Sequence, residues 1–314
     1  MTLQTERKNE MDKENLLKRL AVPAGIVDVV LDTDAYNEID DQFAIAYAFA
    51  STERIRVQAV YAAPFHNGRS TDPADGMEKS YQEIQKLLSL MGKTADVYKG
   101  SESYLADETT PVISAASQDL VDRAKKYTPE NPLYIVAIGA ITNIASALLF
   151  DPSIAQNIVI VWLGGHAQHY AHTKEFNMMQ DYDAANVVLK SEAAFVQLPC
   201  NGVVSECRIS KPELEYWLVG KNKLADYLAQ NTIHEADSYA LGKPWTRVIW
   251  DVTAVAWLLN DQNRFMEGRI INAPTVTHAG QYLQNPNGKP MQYIFHIERD
   301  ALMEDLIHKL TQGD

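Results

Sequence analysis

Two cysteines, Cys200 and Cys207, are all that the 314 residues contain, too few for a disulfide framework. No stretch has the length and apolarity of a membrane span and no signal-like leader stands at the start, so the expected compartment is a reducing cytoplasm. Basic residues are also few. With 28 Lys and Arg against 41 Asp and Glu the formal net charge is -13, which argues against a nucleic-acid surface and against binding to an anionic membrane. The expected ligand is small and uncharged or cationic. Internal repeats and low-complexity linkers are absent too, and a 46% hydrophobic content can fill a large core, so a single domain across 1–314 is expected. Cys200 follows the apolar run 194–198 with no His or base beside it, and reads as a core residue rather than a nucleophile.

What the chain does have is a crowd of acids. The apolar run Val29-Val30-Leu31 leads into Asp32, Asp34, Glu38, Asp40 and Asp41, five carboxylates within ten residues. Packed so densely at the end of a buried strand they repel one another unless a cation or a polar ligand lies among them. Phe43 to Ala50 then reads as a buried helix, so the acids fall at the carboxyl end of a strand, where open α/β sheets bind ligands. Two of the acids, Asp40 and Asp41, could serve only to start that helix. That role does not account for the other three.

Strand-like runs alternate with helical patterns, the mark of an α/β fold: a mostly parallel, Rossmann-like open sheet with helices on both faces. Strands are expected near 57–63, 97–98, 133–138, 158–163, 194–198, 269–277 and 291–297. Helices are expected over 78–91, 142–150 and 182–191, through most of 211–259, and at the end of the chain. Residues 1–22 form an N-terminal extension whose Leu16, Leu17 and Leu20 suggest a loose first helix, and about 211–250 reads as a helical insertion near the site.

Four more segments follow strand ends. They are Pro64-Phe65-His66-Asn67-Gly68; Gly139-Ala140-Ile141-Thr142-Asn143; Gly164-Gly165-His166 running on to Glu175-Phe176-Asn177; and Trp250-Asp251 ahead of an apolar helix. Singly each is a common turn. Together they bring amides, hydroxyls and carboxylates to the sheet edge that holds the acid cluster.

In order and spacing these landmarks resemble the inosine-uridine-preferring nucleoside hydrolase superfamily. Asp32-Thr33-Asp34 and Asp40-Asp41 are similar to its opening signature, Gly139 to Asn143 to its Gly-Pro-Leu-Thr-Asn turn, and Glu175-Phe176-Asn177 with Asp181 and Ala184-Ala185 to its Glu-Phe-Asn segment. Asp251 corresponds to its last metal aspartate, and the likeness spans roughly residues 26–260. The resemblance implies the nucleoside hydrolase fold and a Ca²⁺ ion held by Asp34, Asp41, Asp251 and the Thr142 carbonyl, a hard oxygen-rich set that suits that cation. It implies that a water on the ion attacks the anomeric carbon of a ribonucleoside while Asp34 takes its proton. Asp40, Asn67, Glu175 and Asn177 would bind the ribose hydroxyls, with Asp32 as a support behind them. Homodimers or homotetramers are the expected assembly.

The chain departs from the family pattern twice. Five residues, Ala35 to Ile39, separate Asp34 from Asp40 where three are usual, which adds Asn37 and Glu38 beside the site. Where pyrimidine-accepting members carry a His before the last metal aspartate to protonate the leaving base, this chain has Trp250. Purine-preferring members carry Trp there, so Trp250 implies a purine nucleoside stacked on its ring, although an ordinary core role fits the sequence as well.

Other readings stand beside this one. His166, His169 and His172, with His66, could hold zinc, but the loop has neither Cys nor carboxylate before Glu175 to complete a site. Lining a pocket as a lid, or supplying the absent leaving-group acid, suits these histidines better. Asp32-Thr33-Asp34 also resembles the start of a haloacid-dehalogenase-type phosphatase with a nucleophilic Asp32, which leaves Asp40-Asp41 and Glu175-Phe176-Asn177 unexplained. A non-catalytic or repurposed nucleoside or sugar binder on the same fold is the remaining alternative.

Overall fold

The computed structural model describes residues 14–311. Seven strands and six helices alternate through its first two-thirds: β1 Val27–Thr33, α1 Asp40–Ala50, β2 Ile55–Ala62, α2 Pro73–Met91, β3 Asp96–Lys99, α3 Ala115–Ala124, β4 Leu133–Ala137, α4 Thr142–Phe150, β5 Ile158–Leu163, the short α5 Phe176–Gln180, α6 Tyr182–Lys190, β6 Ala194–Leu198 and β7 Arg208–Ser210, where α5 and α6 share one connection. Then come α7 Lys211–Trp217, α8 Lys223–Ala240, β8 Thr246–Val248, α9 Val252–Leu258, β9 Met266–Asn272, β10 Thr275–Val276, β11 Tyr282–Leu283, β12 Pro290–Ile297 and α10 Arg299–Thr311.

Eight strands form one sheet in the order β3-β2-β1-β4-β5-β6-β12-β9. All neighbours are parallel except β12 and β9, which pair antiparallel at one edge. The chain winds outward from β1 through β2 to β3, then crosses back and winds the other way from β4. The crevice beyond the carboxyl ends of β1 and β4 is therefore the switch point at which such sheets bind ligands.

Apolar side chains leave both faces of the sheet. Val29 and Leu31 join a core layer with α1, α2, α8, α9 and α10, while Val30 faces the layer made by α3, α4 and α6. The largest fully buried side chains, Trp162 and Trp257, sit in opposite layers. Each buried Leu, Ile or Val contributes roughly 1.5–3 kcal/mol. Helix α1 is buried from Asp40 to Ala48, as its lack of a polar face requires.

The structure departs from the expected elements in four places. Helix α3 was not anticipated; its apolar face is small, and it is set by a capping box in which Ser114 and Ser117 exchange side-chain and backbone bonds. The helical stretch 211–259 is broken in two places. Asn222 caps a new helix by accepting from the Ala225 N–H at 2.8 Å, and β8 pairs antiparallel with β7 beyond Pro244. Pro274 divides the strand expected over 269–277, because it has no N–H for the ladder. Of the N-terminal extension, residues 14–19 are helical, with Leu20 buried, Leu16 half-buried and Leu17 exposed, so the leucines do not form one face; residues 1–13 lie outside the described region. Among the described residues no helix is long and apolar enough to cross a membrane.

Candidate active site

Strand β1 ends in Asp32 and Thr33, Asp34 follows, and Asp40 and Asp41 open α1. Acids at a helix N-terminus are favoured by its dipole, and because α1 is packed on every side these acids are buried too. Asp251 reaches the same place from the start of α9. Asp34, Asp40, Asp41 and Asp251 line one cavity of about 280 Å³, together with Glu175, Asn177 and Trp250. A wider cleft of about 750 Å³ between Phe49, Leu90, Asn222 and Leu310 lacks a comparable cluster.

Oxygens of Asp40, Asp41 and Asp251 lie within 4.8 Å of one another. Asp41 accepts a short bond from the Thr33 hydroxyl and is hydrogen-bonded to Asp251, and Asp40 Oδ2 accepts from the Trp250 backbone N–H at 3.2 Å. Burial pushes the Asp41 carboxyl up to about 7. Asp34, Asp40 and Asp251 are raised well above the usual carboxylate range, first by burial and then by the neighbouring acids. Gly139, at the end of β4, makes room for this: a Cβ there would lie 3.2 Å from the Asp34 carboxyl carbon.

Asp32 stands behind the cavity rather than in its wall. Fully buried, it accepts from Asn143 Nδ2 at 2.8 Å, and burial raises it to about 7. Asn143 is itself fixed by Ser101, whose N–H and hydroxyl donate to its Oδ1 at 2.7 and 2.9 Å.

Glu175 caps α5. Its carboxylate accepts the N–H groups of Gly165, Asn177 and Met178 at 2.8, 2.9 and 3.0 Å, and Gly165 reaches it from a left-handed turn with φ of 77°. Three donors and the Cys200 thiol, which is hydrogen-bonded to the same carboxylate, occupy the roughly four acceptor positions of a carboxylate. Asn177 donates to the Leu163 carbonyl at 3.0 Å. Trp250 is half-buried, between the cavity and the core.

Two of the expected residues are not in the cavity wall. The Thr142 hydroxyl is buried and donates to Asp181 Oδ2 at 2.7 Å, and Asn67 Nδ2 donates to Asn37 Oδ1 at 2.5 Å. Of the histidines only His166 lines the cavity; His66, His169 and His172 are exposed, and no histidine joins a group of three metal-binding side chains among the described residues. Burial and the neighbouring His172 lower the His166 imidazole below its ordinary value.

Sequence reasoning missed Asn201 and Lys174, which line the cavity, and placed Cys200 only in the core. Asn201 obeys the same strand-end rule as the others, just beyond β6, and that rule was the available signal. Cys200 is buried in the wall beside Glu175, and burial raises its thiol well above the ordinary value, which does not suit a nucleophile.

The acids fit a hard cation. Several carboxyls share a buried cluster, and Asp34 Oδ2 has no hydrogen-bond partner among the described residues. A parallel sheet with a carboxylate centre at its switch point is the architecture of a metal-dependent α/β enzyme. The comparisons give the family. The chain belongs to the inosine-uridine preferring nucleoside hydrolases, whose family model matches residues 29–304. It is similar to probable uridine nucleosidase 2 of Arabidopsis thaliana, 26% identical over 222 residues that make up 64% of this chain and 67% of the relative. It is also similar to the non-specific ribonucleoside hydrolase RihC of Salmonella paratyphi B, 30% identical over 155 residues, and that match spans about half of each protein, 48%. The solved structure of a purine-preferring ribonucleoside hydrolase from Gardnerella vaginalis superposes with a TM-score of 0.71, covering 90% of this chain and 98% of that one at 21% identity. The family is one of metal-dependent nucleoside N-ribohydrolases, and Asp40, Asp41 and Asp251 could hold the metal. The phosphatase alternative gives way to this family, and its nucleophile, Asp32, does not line the cavity.

Proposed function

We propose that the protein cleaves the N-glycosidic bond of a purine ribonucleoside to free base and ribose. Asp34, Asp41, Asp251 and the Thr142 carbonyl would hold Ca²⁺, and Asp34 is the base. The observation that carries this reading is the convergence of the buried acids, Glu175, Asn177 and Trp250 on one cavity. When bound, the cation offsets the crowded negative charge and acidifies the attacking water.

Asp34 Oδ2, buried and without a hydrogen-bond partner among the described residues, accepts the proton of that water. The water oxygen bonds to the anomeric carbon as the carbon–nitrogen bond breaks, and the electron pair leaves on the base. Positive charge then developing on the sugar faces carboxylates placed in advance, which lowers the barrier. Asp40 belongs to the metal-sized cluster, but the bond from Trp250 N–H holds it beside the aromatic wall, and it is assigned to the ribose with Glu175 and Asn177. Asn67 acts from outside the wall by holding Asn37. Ribose analogues lacking a hydroxyl would leave these buried groups unpaired and be rejected.

The curated relatives named above act on uridine or on ribonucleosides without preference, so the purine assignment rests on Trp250, whose ring offers a stacking face. The departing base takes its proton from solvent. The chain works as one domain in a reducing cytoplasm, with Cys200 and Cys207 as free buried thiols, and as a homodimer or homotetramer.

A panel of ribonucleosides assayed for reducing sugar with Ca²⁺ tests the reading. Purine ribonucleosides should be turned over, and Asp34→Ala should lower kcat by about 10²–10⁴ with an unchanged circular dichroism spectrum. Preference for pyrimidines would overturn the base assignment, unchanged turnover in Asp34→Ala the mechanism, and binding without turnover the enzyme reading in favour of a binder.

A further inference from the structure

Asn37 and Glu38, the residues of the lengthened loop, belong to a ring beside the cavity that side-chain contacts and two short stretches of backbone close. Asn37 accepts from Asn67 at 2.5 Å. Two residues on from Asn67, Arg69 pairs with Glu235 of α8 at 2.7 Å. Glu235 pairs in turn with Arg247 of β8 at 3.1 Å, and Arg247 closes the ring on Glu38 at 3.1 Å. Helix α8 is also tied to α1 by Asn231 Nδ2, which donates to Gln42 Oε1 at 2.8 Å. Four separate segments are held by this ring, and Arg247 is its junction.

We propose that Arg247 is a positioning residue that clamps the lengthened loop against α8 and so holds Glu38 in the cavity wall as an acceptor for a donor group of the nucleoside. This deepens the nucleoside hydrolase reading and rests on it. Glu38 lines the cavity and accepts from Arg247 through Oε2. Arg247 Nη2 serves both carboxylates while Nη1 donates to the Tyr239 hydroxyl at 3.1 Å. The planar guanidinium presents these donors in a fixed fork, whereas a lysine ammonium is a point charge on a flexible stem.

Exposed ion pairs contribute little: the Arg247 and Glu235 side chains are 19% and 17% exposed, whereas Glu38 is 43% exposed, so the pair with Glu235 is the firmer anchor of the clamp. Arg247 Nε is buried with no hydrogen-bond partner among the described residues. Three residues after Arg247 comes Trp250, whose N–H holds Asp40, so the clamp also sets where the aromatic wall meets the acids.

Two readouts test this, one of them independent of turnover. Arg247→Ala should speed amide exchange of residues 35–39 in the unliganded protein. In the Ca²⁺-loaded enzyme it should raise KM for the turned-over ribonucleoside about tenfold with kcat little changed, the size of one lost charge-assisted hydrogen bond. Glu38→Gln, which keeps the shape of the side chain, should raise KM alike, Arg247→Lys should recover only part of the loss, and the double variant should be no worse than either single one.

Adenosine against inosine, and ribonucleosides against 5′-deoxy analogues, identify the donor: the compound lacking it shows no penalty from Glu38→Gln. An equal penalty on every compound overturns the contact. Unchanged exchange and unchanged KM in Arg247→Ala overturn the clamp. A wild-type protein that turns over no ribonucleoside overturns the hydrolase reading instead, and the exchange experiment still decides the clamp.

Discussion

Carboxyls buried side by side resist ionisation, and at Asp41 and Asp32 burial lifts the group to about 7. In an unfolded chain an aspartate titrates near about 3.9. Between those values the folded, cation-free protein binds more protons than the unfolded one, so these groups make stability fall as pH rises through that window. The melting temperature of chelator-treated protein should therefore drop between about pH 5 and pH 7.5, and Ca²⁺ should raise it much more at the upper pH, where the ligands are ionised. A Ca²⁺ increment that is equal at both pH values would contradict the assignment of Asp41 to a cation site. The acids themselves were legible in the sequence because they are crowded into ten residues. The bonds of Asn143 to Asp32 and of Arg247 to Glu38 were not, because each meets its carboxylate only through the fold.

Helices and turns decide which way those residues face. Glu175 is at once the cap of α5 and part of the cavity wall. Glu175→Ala removes the acceptor of three backbone N–H groups, so it should cost about 0.5–2 kcal/mol in urea denaturation as well as turnover. Glu175→Gln keeps an acceptor oxygen and should recover most of the stability. Loss of activity with no loss of stability would show that the cap is dispensable and that Glu175 serves the substrate alone. The strands around the site were readable as continuous apolar runs, since strands buried on both faces need apolar side chains throughout. Helix α3, the break at Asn222 and the β7–β8 pair were not, because caps and short pairings outweigh a weak periodic signal.

Across the whole molecule, the sheet order brings distant segments together. Trp162 on β5 is fully buried, and its Nε1–H donates at 3.0 Å to the carbonyl of Gly139, the glycine packed against Asp34. Trp162→Ala should cost about 3–5 kcal/mol, read as a lower urea midpoint. Its release of Gly139 should also weaken Ca²⁺ binding; tight Ca²⁺ binding by the destabilised variant would show that the two are uncoupled. By itself the sequence determined the fold class, the acid cluster and the order of the landmarks, because hydrophobic period and residue type are local properties. Only the tertiary structure decided that Asp251 and Trp250 meet Asp34 and Asp41, that Thr142 gives its hydroxyl to Asp181, and that Glu38 is held by Arg247. Those contacts depend on where β1, β4 and β8 lie after the chain reverses its winding, and no spacing along the chain encodes that distance.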